Sequence, residues 1–232
     1  MLNDEERRAI EAAVREAETR TSGEIYCVVA AESSDYREIP LAWGAAVALL
    51  GPAILLLAGV EVSVPDALEG GWSAAQVGDM AATAARGALV GAVILQGLLF
   101  IAVGFLTAWA PVKRLVTPRP LKRARVRQRA RELFLTRNLS ATRARTGVLI
   151  YVSMDERMAE LVADEGVADR VEAKAWDGPM AALVAGIKRA RPGEGFTEAI
   201  RLCADILAEH VPADAADNPN ELPDSVVELP RV

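Results

Sequence analysis

Apolar positions along this chain fall into three patterns, and each predicts a different element. The first is amphipathic. Leu2, Ile10, Val14 and Ala17 recur at helical intervals up to Arg20, and Asn3 with Glu6 three residues on has the spacing of a capping box. Thr21-Ser22-Gly23 then breaks the helix. The second pattern is a short unbroken apolar run. "EIYCVVAAE", from Glu24 to Glu32, and "RTGVLIYVSM", with its strand from about Gly147 to Met154, read as strands buried on both faces. The third is long and uncharged. No charged side chain occurs from Leu41 to Val60 or from Gly87 to Val112, and at ~1.5 Å per helical residue either run can cross a ~30 Å hydrocarbon core.

Between and after these runs the helical pattern returns. "LKRARVRQRARELF" predicts a helix with Leu121, Val126, Ala130, Leu133 and Phe134 as its buried stripe. A short helix follows near Glu165 to Val171, then one from about Trp176 to Ala190, which Arg191-Pro192-Gly193 terminates. The last helix carries Phe196, Ile200, Cys203, Leu207 and Val211 on one face. From residue 212 the chain is rich in Pro, Asp and Asn and reads as an acidic flexible tail, residues 212–232, with Asp214, Asp217, Glu221 and Asp224 solvated. "DERMAELVAD", Asp155 to Asp164, is open at this level. Its propensity is helical, yet an antiparallel return would place Met158, Glu160 and Val162 on one face.

These elements imply one soluble-type domain in two pieces. Residues 1–38 hold one helix and one strand, too little to bury a core alone. Residues 113–211 supply the rest. A strand, a helical crossover and a second apolar strand make a βαβ unit with parallel pairing, here with a two-helix hairpin, residues 41–112, inserted in the crossover.

Composition sharpens this picture because charge and apolarity are segregated. The chain is 52% hydrophobic and 25% charged, with a mean hydropathy of +0.19. The loop 61–86 carries Glu61, Asp66, Glu69 and Asp79 against Arg86 alone. Just past the second run come Lys113, Arg114, Arg119, Lys122, Arg123, Arg125, Arg127, Arg129 and Arg131, with no acid before Glu132. The positive-inside rule therefore places both termini in the cytoplasm and the 61–86 loop outside, with Trp43 and Trp109 near the cytoplasmic interface. "MLNDEERR" opens an acidic helix and not a signal peptide, so the spans themselves are expected to insert the chain. Pro52 is expected to kink the first span, and Gln96 to bridge to a neighbouring helix. Gly87 and Gly91 have GxxxG spacing. Neither span holds an Asp, Glu, Lys or Arg, which fits an anchor and gives no ion path.

Candidate chemistry is sparse. His210 is the only histidine, so no multi-histidine metal site exists and a His-based triad would have to use it. Cys27 and Cys203 sit in apolar settings and read as buried hydrophobes. The chain has no Cys-x5-Arg loop, no DxD pair and no Gly-rich phosphate cradle, so no catalytic residue is assigned. The arginine-rich stretch reads as a topology determinant and solvated face. Lys122, Arg123, Arg125, Arg127 and Arg129 are its candidates for contact with anionic lipid headgroups. A nucleic-acid partner is not expected, because no aromatics are interleaved for stacking.

Taken in order, "TGVLIYVSMDERMAELVADEGVADRV", Ala175-Trp176, "GEGFTEAIRLCADILAEHVP" and "NELPDSVVEL" resemble the TPM domain family, closest to its bacterial membrane-bound branch. The resemblance covers Arg145 to Leu229 closely and Ser22 to Glu32 loosely, and departs from the family in the inserted hairpin. It implies a small mixed-sheet α/β sandwich in which the residues after "SMDER" form a strand. It also implies a location in the bacterial cytoplasmic membrane. By analogy with relatives that assist photosystems or receptors, it implies a binding module acting as an accessory or assembly factor for a membrane protein complex. Two further activities are implied, a weak metal-dependent acid phosphatase and a calcium-binding module, with Ca²⁺ as the cofactor. The matching acids are Asp155, Glu156 and Asp164, with Glu165 and Asp169 as further oxygen donors. The competing reading of the same acids is a turn pair and a helix cap. The partner's identity and any self-association stay open at this level.

Overall fold

The structure is a computed structural model that describes residues 2–59, 74–213 and 220–231. It divides into an α/β unit, residues 1–35 and 118–232, and a helical unit, residues 36–117. The helical unit thus interrupts the chain of the α/β unit.

The α/β unit opens with α1, Asp4–Glu18. The Asn3 side chain accepts from the Glu6 N–H at 2.8 Å and the Glu6 carboxylate accepts from the Asn3 N–H at 2.9 Å, completing the capping box. β1, Glu24–Ala30, pairs in parallel with β2, Gly147–Ser153, from Glu24↔Gly147 to Ala30↔Ser153. β3, Met158–Ala163, returns antiparallel to β2. Within "DERMAELVAD", Met158–Ala163 is therefore a strand despite its helical propensity, with residues 155–157 in the turn before it. Helical propensities differ by tenths of a kcal/mol per residue, and a full ladder against β2 outweighs them.

Alternate side chains of the central strands go to opposite faces. Ile25, Cys27, Val29, Val148, Ile150 and Val152 pack under α1, α7 (Asp177–Lys188) and α8 (Pro192–His210). Tyr26, Val28, Ala30, Leu149 and Tyr151 pack under α5, Arg119–Thr136, through Val126, Ala130, Leu133 and Phe134. Both strands are buried along their whole length, which is why they read as unbroken apolar runs. Between β3 and α7 the short α6, Glu165–Ala168, and a 3₁₀ turn at Ala173–Trp176 connect the layers.

The C-terminal tail is the main correction. Residues 214–219, with Asp214 and Asp217, lie outside the described residues. Beyond them the chain is not a free tail. β4, Val227–Leu229, adds in parallel to the free edge of β1, giving the order β3-β2-β1-β4. Leu222 is buried in the α5-side core. Glu221 pairs with Arg143, and Asp224 with Arg15, both at 3.5 Å. Of the acids that marked this stretch as solvated, the two described, Glu221 and Asp224, are counter-ions to arginines of the fold.

The helical unit contains α2 (Glu38–Leu57), α3 (Ala74–Ala108) and α4 (Ala110–Val116). α3 starts well before Gly87, so residues 74–86 of the expected outward loop are helical. Charge marked the loop there, but the stretch is rich in alanine and favours helix. Residues 60–73, with Glu61, Asp66 and Glu69, lie outside the described residues. The second apolar run ends as helix at Ala108 and not at Val112. Trp109 is extended (φ −65°, ψ 126°), and Pro111, which cannot sit in a helix interior, starts the new helix α4. α2 continues through Pro52. α2 and α3 run antiparallel, and a Cβ on Gly44 would lie 3.0 Å from the Phe100 carbonyl oxygen. Close packing thus falls at Gly44. Nothing described lies within 4 Å of a Cβ on Gly87 or Gly91.

The tightest helix crossing lies in the α/β unit. A Cβ on Gly186 of α7 would stand 2.5 Å from Gly195 Cα and 2.8 Å from its nitrogen in α8. These are backbone atoms that cannot turn aside. Gly186→Ala should therefore destabilise the protein by about 1–3 kcal/mol, read as a drop of several degrees in Tm. An unchanged Tm would show that α7 can move off α8 without cost.

Candidate functional site

β1 and β2 end side by side, and the loops that leave their carboxyl ends build a polar cluster. Carboxyl ends of parallel strands are where α/β folds commonly carry their sites. The Met154 and Asp155 N–H groups donate to the carbonyls of Ala30 and Ala31, both at 3.0 Å, which fixes the two loops together. Glu156, in the β2–β3 turn, accepts from the Ser33 N–H at 3.1 Å through Oε1 and from the Ser153 hydroxyl through Oε2. The Ser33 hydroxyl and the Tyr151 phenol lie 3.0 Å apart and are buried. Burial pushes the Tyr151 pKa up to about 12, with the Glu156 charge adding to it and Ser33 and Arg129 opposing it. The phenol therefore stays protonated and serves as a hydrogen-bonding group.

A cleft of about 220 Å³ opens beside this cluster, lined by Ser33, Ser34 and Asp35 and by Arg125, Gln128, Arg129 and Glu132 of α5. Its lining holds two guanidinium groups and two carboxylates. Glu132 takes the Gln128 amide at 2.9 Å and Arg129 at 3.5 Å. The lining is polar and close to electrically balanced, suited to polar contact with a chain or loop.

The acids that the TPM resemblance assigns to a metal are not brought together. Asp155 accepts from Arg231 at 3.3 Å and Glu156 from Ser33 and Ser153. Asp164 lies at the other end of β3, about 20 Å away at ~3.3 Å per strand residue. There it caps α6 through the Glu165 N–H at 2.8 Å and pairs with Arg145 at 3.3 Å. Arg145 also holds Glu165 at 2.6 Å. Asp164 Oδ2 is buried without a hydrogen-bond partner among the described residues. No group of three or more His, Cys, Asp or Glu converges among the described residues. Asp155, Glu156 and Asp164 do not fit a shared Ca²⁺ shell, because the strand between them separates its two ends.

The five cations singled out for lipid contact are likewise divided by helical geometry. Arg125 and Arg129 line the cleft. Lys122 is half-buried, Arg123 is exposed, and Arg127 pairs with Glu160 at 2.8 Å. Cys27 and Cys203 are free thiols in the core. Burial pushes both pKa values up, that of Cys203 to about 12, so neither supplies a thiolate near neutral pH. His210 Nδ1 lies 2.9 Å from the Ile206 carbonyl.

A second set of groups was not visible in the sequence pattern. Glu18 and Glu24 are buried at the amino end of β1. Glu18 accepts from the Ile25 N–H at 3.1 Å, and Glu24 Oε2 accepts from the Glu221 and Leu222 N–H groups at 3.1 and 3.0 Å. Glu24 is thus the clamp on the C-terminal segment. The available signals were a glutamate opening an apolar strand here, and Tyr151 within "VLIYVS" with "SSD" after β1 at the other end.

The chain matches no family model and no curated protein. It is similar in structure to the BA42 protein of the psychrophilic bacterium Bizionia argentinensis, determined by NMR, with a TM-score of 0.56 and 19% identity over 98% of this chain and 95% of that one. At that identity the likeness concerns the fold alone.

Burial raises the Glu18 pKa to about 8, with the Glu24 and Asp224 charges adding to it, and burial also raises that of Glu24, with the Glu221 and Asp224 charges adding. A carboxyl group that holds its proton more tightly folded than unfolded stabilises the fold fully below its ordinary value of 4.5, and loses that contribution as pH rises through about 8. Tm should fall across that window. Glu18→Gln keeps the acceptor for Ile25 and should flatten the decline. An equal slope in the variant would show that Glu18 is not the group responsible.

Proposed function

We propose that this is a two-span protein of the bacterial cytoplasmic membrane with both termini in the cytoplasm. Its α/β unit is a binding module, an accessory or assembly factor for a membrane protein complex. The observation that carries the reading is the placement of an apolar hairpin inside the crossover of one fold. Glu38–Leu55 and Leu89–Ala108 are long and apolar enough to cross a bilayer, and every apolar residue of the second stretch is at least partly exposed. Leu49, Leu50, Ile54, Leu57, Val93, Ile101 and Phe105 are among its exposed side chains. A helix of a soluble core would hide such residues, since exposure costs roughly 25 cal/mol per Å² of apolar surface. Hydrocarbon removes that cost.

Orientation rests on the cations that follow the second span, with Lys113 and Arg114 in α4 and the others in and around α5. The chain leaves the α/β unit after Asp35 and re-enters it at Pro118. The unit is thereby tied to the membrane through two connections and not one, which suits a module whose target is itself in the bilayer. The resemblance to the TPM family supports the accessory role, by analogy.

Two measurements test this. Cysteine placed at Ser63 should react with an impermeant maleimide in whole cells, and cysteine at the exposed Ser225 only after permeabilisation. The native thiols are buried and should contribute little background. The reverse pattern overturns the topology. Purification of the full chain in mild detergent should retain a stoichiometric membrane protein, and recovery of the chain alone would count against the accessory role.

A further inference from the structure

The sequence presents its juxtamembrane cations as one block, but α5 sorts them. At 100° per residue, Val126, Ala130 and Leu133 turn into the core and Arg125 and Arg129 turn to the polar cleft. Arg119, Arg123, Arg127 and Arg131 recur every fourth residue as an exposed stripe that winds about 120° around the helix, with Arg119 exposed at its first residue. With Ala124 and Leu135 they line an open groove of about 620 Å³. Arg127 is tied to Glu160, whereas Arg119, Arg123 and Arg131 form no ion pair among the described residues. Glu132 borders the same groove and is engaged by Gln128 and Arg129.

Such a stripe is unfavourable by itself. Like charges at i,i+4 spacing disfavour a helix, and this one repeats that spacing three times in a chain whose net charge is −6. The stripe is also placed close in sequence to the apolar hairpin. Arg119 opens α5 eleven residues after Ala108 ends α3. A basic segment directly after a span lies within reach of the leaflet's anionic headgroups. Arginine stems can also lie against the acyl boundary while their guanidinium groups bind phosphate, and the exposed Leu135 extends the stripe with an apolar side chain.

We propose that the Arg119/Arg123/Arg127/Arg131 face of α5 docks on anionic lipid headgroups and holds the α/β unit against the membrane surface. The proposal rests on the membrane reading above and goes beyond it in assigning a lipid class and a face. The cleft side of α5, with Arg125 and Arg129, stays turned away from that surface and available to a protein partner.

The test uses the full chain in nanodiscs of phosphatidylcholine, with or without phosphatidylglycerol. Ala124→Cys, exposed within the stripe, carries a fluorophore, and the discs carry a headgroup-linked quencher. Quenching should be strong in the anionic discs, weak in the neutral ones, and lost in high salt. Each cation near the surface is worth about a five-fold change in the docked-to-free ratio. The triple variant Arg119→Gln/Arg123→Gln/Arg131→Gln should therefore lower it roughly a hundred-fold while leaving the core side chains of α5 in place. Equal quenching in both discs, or no effect of the triple variant, overturns the inference and leaves the membrane reading standing. Nucleic acid retained by the wild-type stripe, without a response to anionic lipid, overturns it in favour of a different polyanion. A chain that stays outside the discs overturns the membrane reading, and this inference with it.

Discussion

β1 is the strand on which the rest of the α/β unit is registered, because every direction around it is occupied by protein. β2 and β4 take its two edges, the α1/α7/α8 layer takes one face and α5 takes the other. All seven of its residues are buried. Such a strand has no freedom of register, since a slip by one residue would exchange Ile25, Cys27 and Val29 with Tyr26, Val28 and Ala30 across the sheet. Yet β1 comes from a fragment that cannot fold alone. Its partner β2 begins only at Gly147, after the hairpin has been made. The core therefore closes around β1 late in the chain, and the C-terminal segment finishes the closure.

Much of this was legible because burial on both faces leaves a plain signature. The unbroken runs gave β1 and β2, the helical stripes gave α1, α5 and α8, and Asn3 with Glu6 marked where α1 starts. What could not be read has a common physical cause, namely contact made at a distance. β4 pairs through only three residues, too few to show a period, and its position depends on two backbone N–H groups finding Glu24, almost two hundred residues earlier. β3 needed its partner to overcome local propensity. α3 begins at Ala74, beneath a stretch whose charges suggested a loop. The carboxylates at 155, 156 and 164 were close in sequence, and the extension of a strand is what drove them apart.

The polar cluster at the carboxyl end of β1 and the carboxyl pair at its amino end use the same chemistry for different purposes. Glu156 gathers the Ser33 N–H and the Ser153 hydroxyl, and so fixes the point from which the chain departs after Asp35. Glu24 gathers Glu221 and Leu222, and fixes the point at which the chain returns as β4. Each is a carboxylate accepting two donors from a segment distant in sequence. An acceptor with four lone-pair sites suits that task better than a neutral hydroxyl. The cost is desolvation of the carboxyl groups of Glu18 and Glu24, which disfavours their charged forms and raises their pKa values.

An insertion of 82 residues in the central crossover, Tyr36–Thr117, costs the fold little. Loop-closure entropy rises only with the logarithm of length, about 0.6 kcal/mol for each doubling. A crossover several times longer than a simple helix therefore adds only one or two such increments. That cost falls further if the inserted helices are already paired in a bilayer, since a packed hairpin brings its own ends together: Trp43 Nε1 donates to the Val116 carbonyl at 3.2 Å, joining its beginning to its end. The hairpin then behaves in the crossover as a short rigid bridge and not as a long flexible loop. On this argument the parallel pairing of β1 with β2 is compatible with two spans between them, because what must be closed is the short gap across the hairpin's base and not the contour of 82 residues.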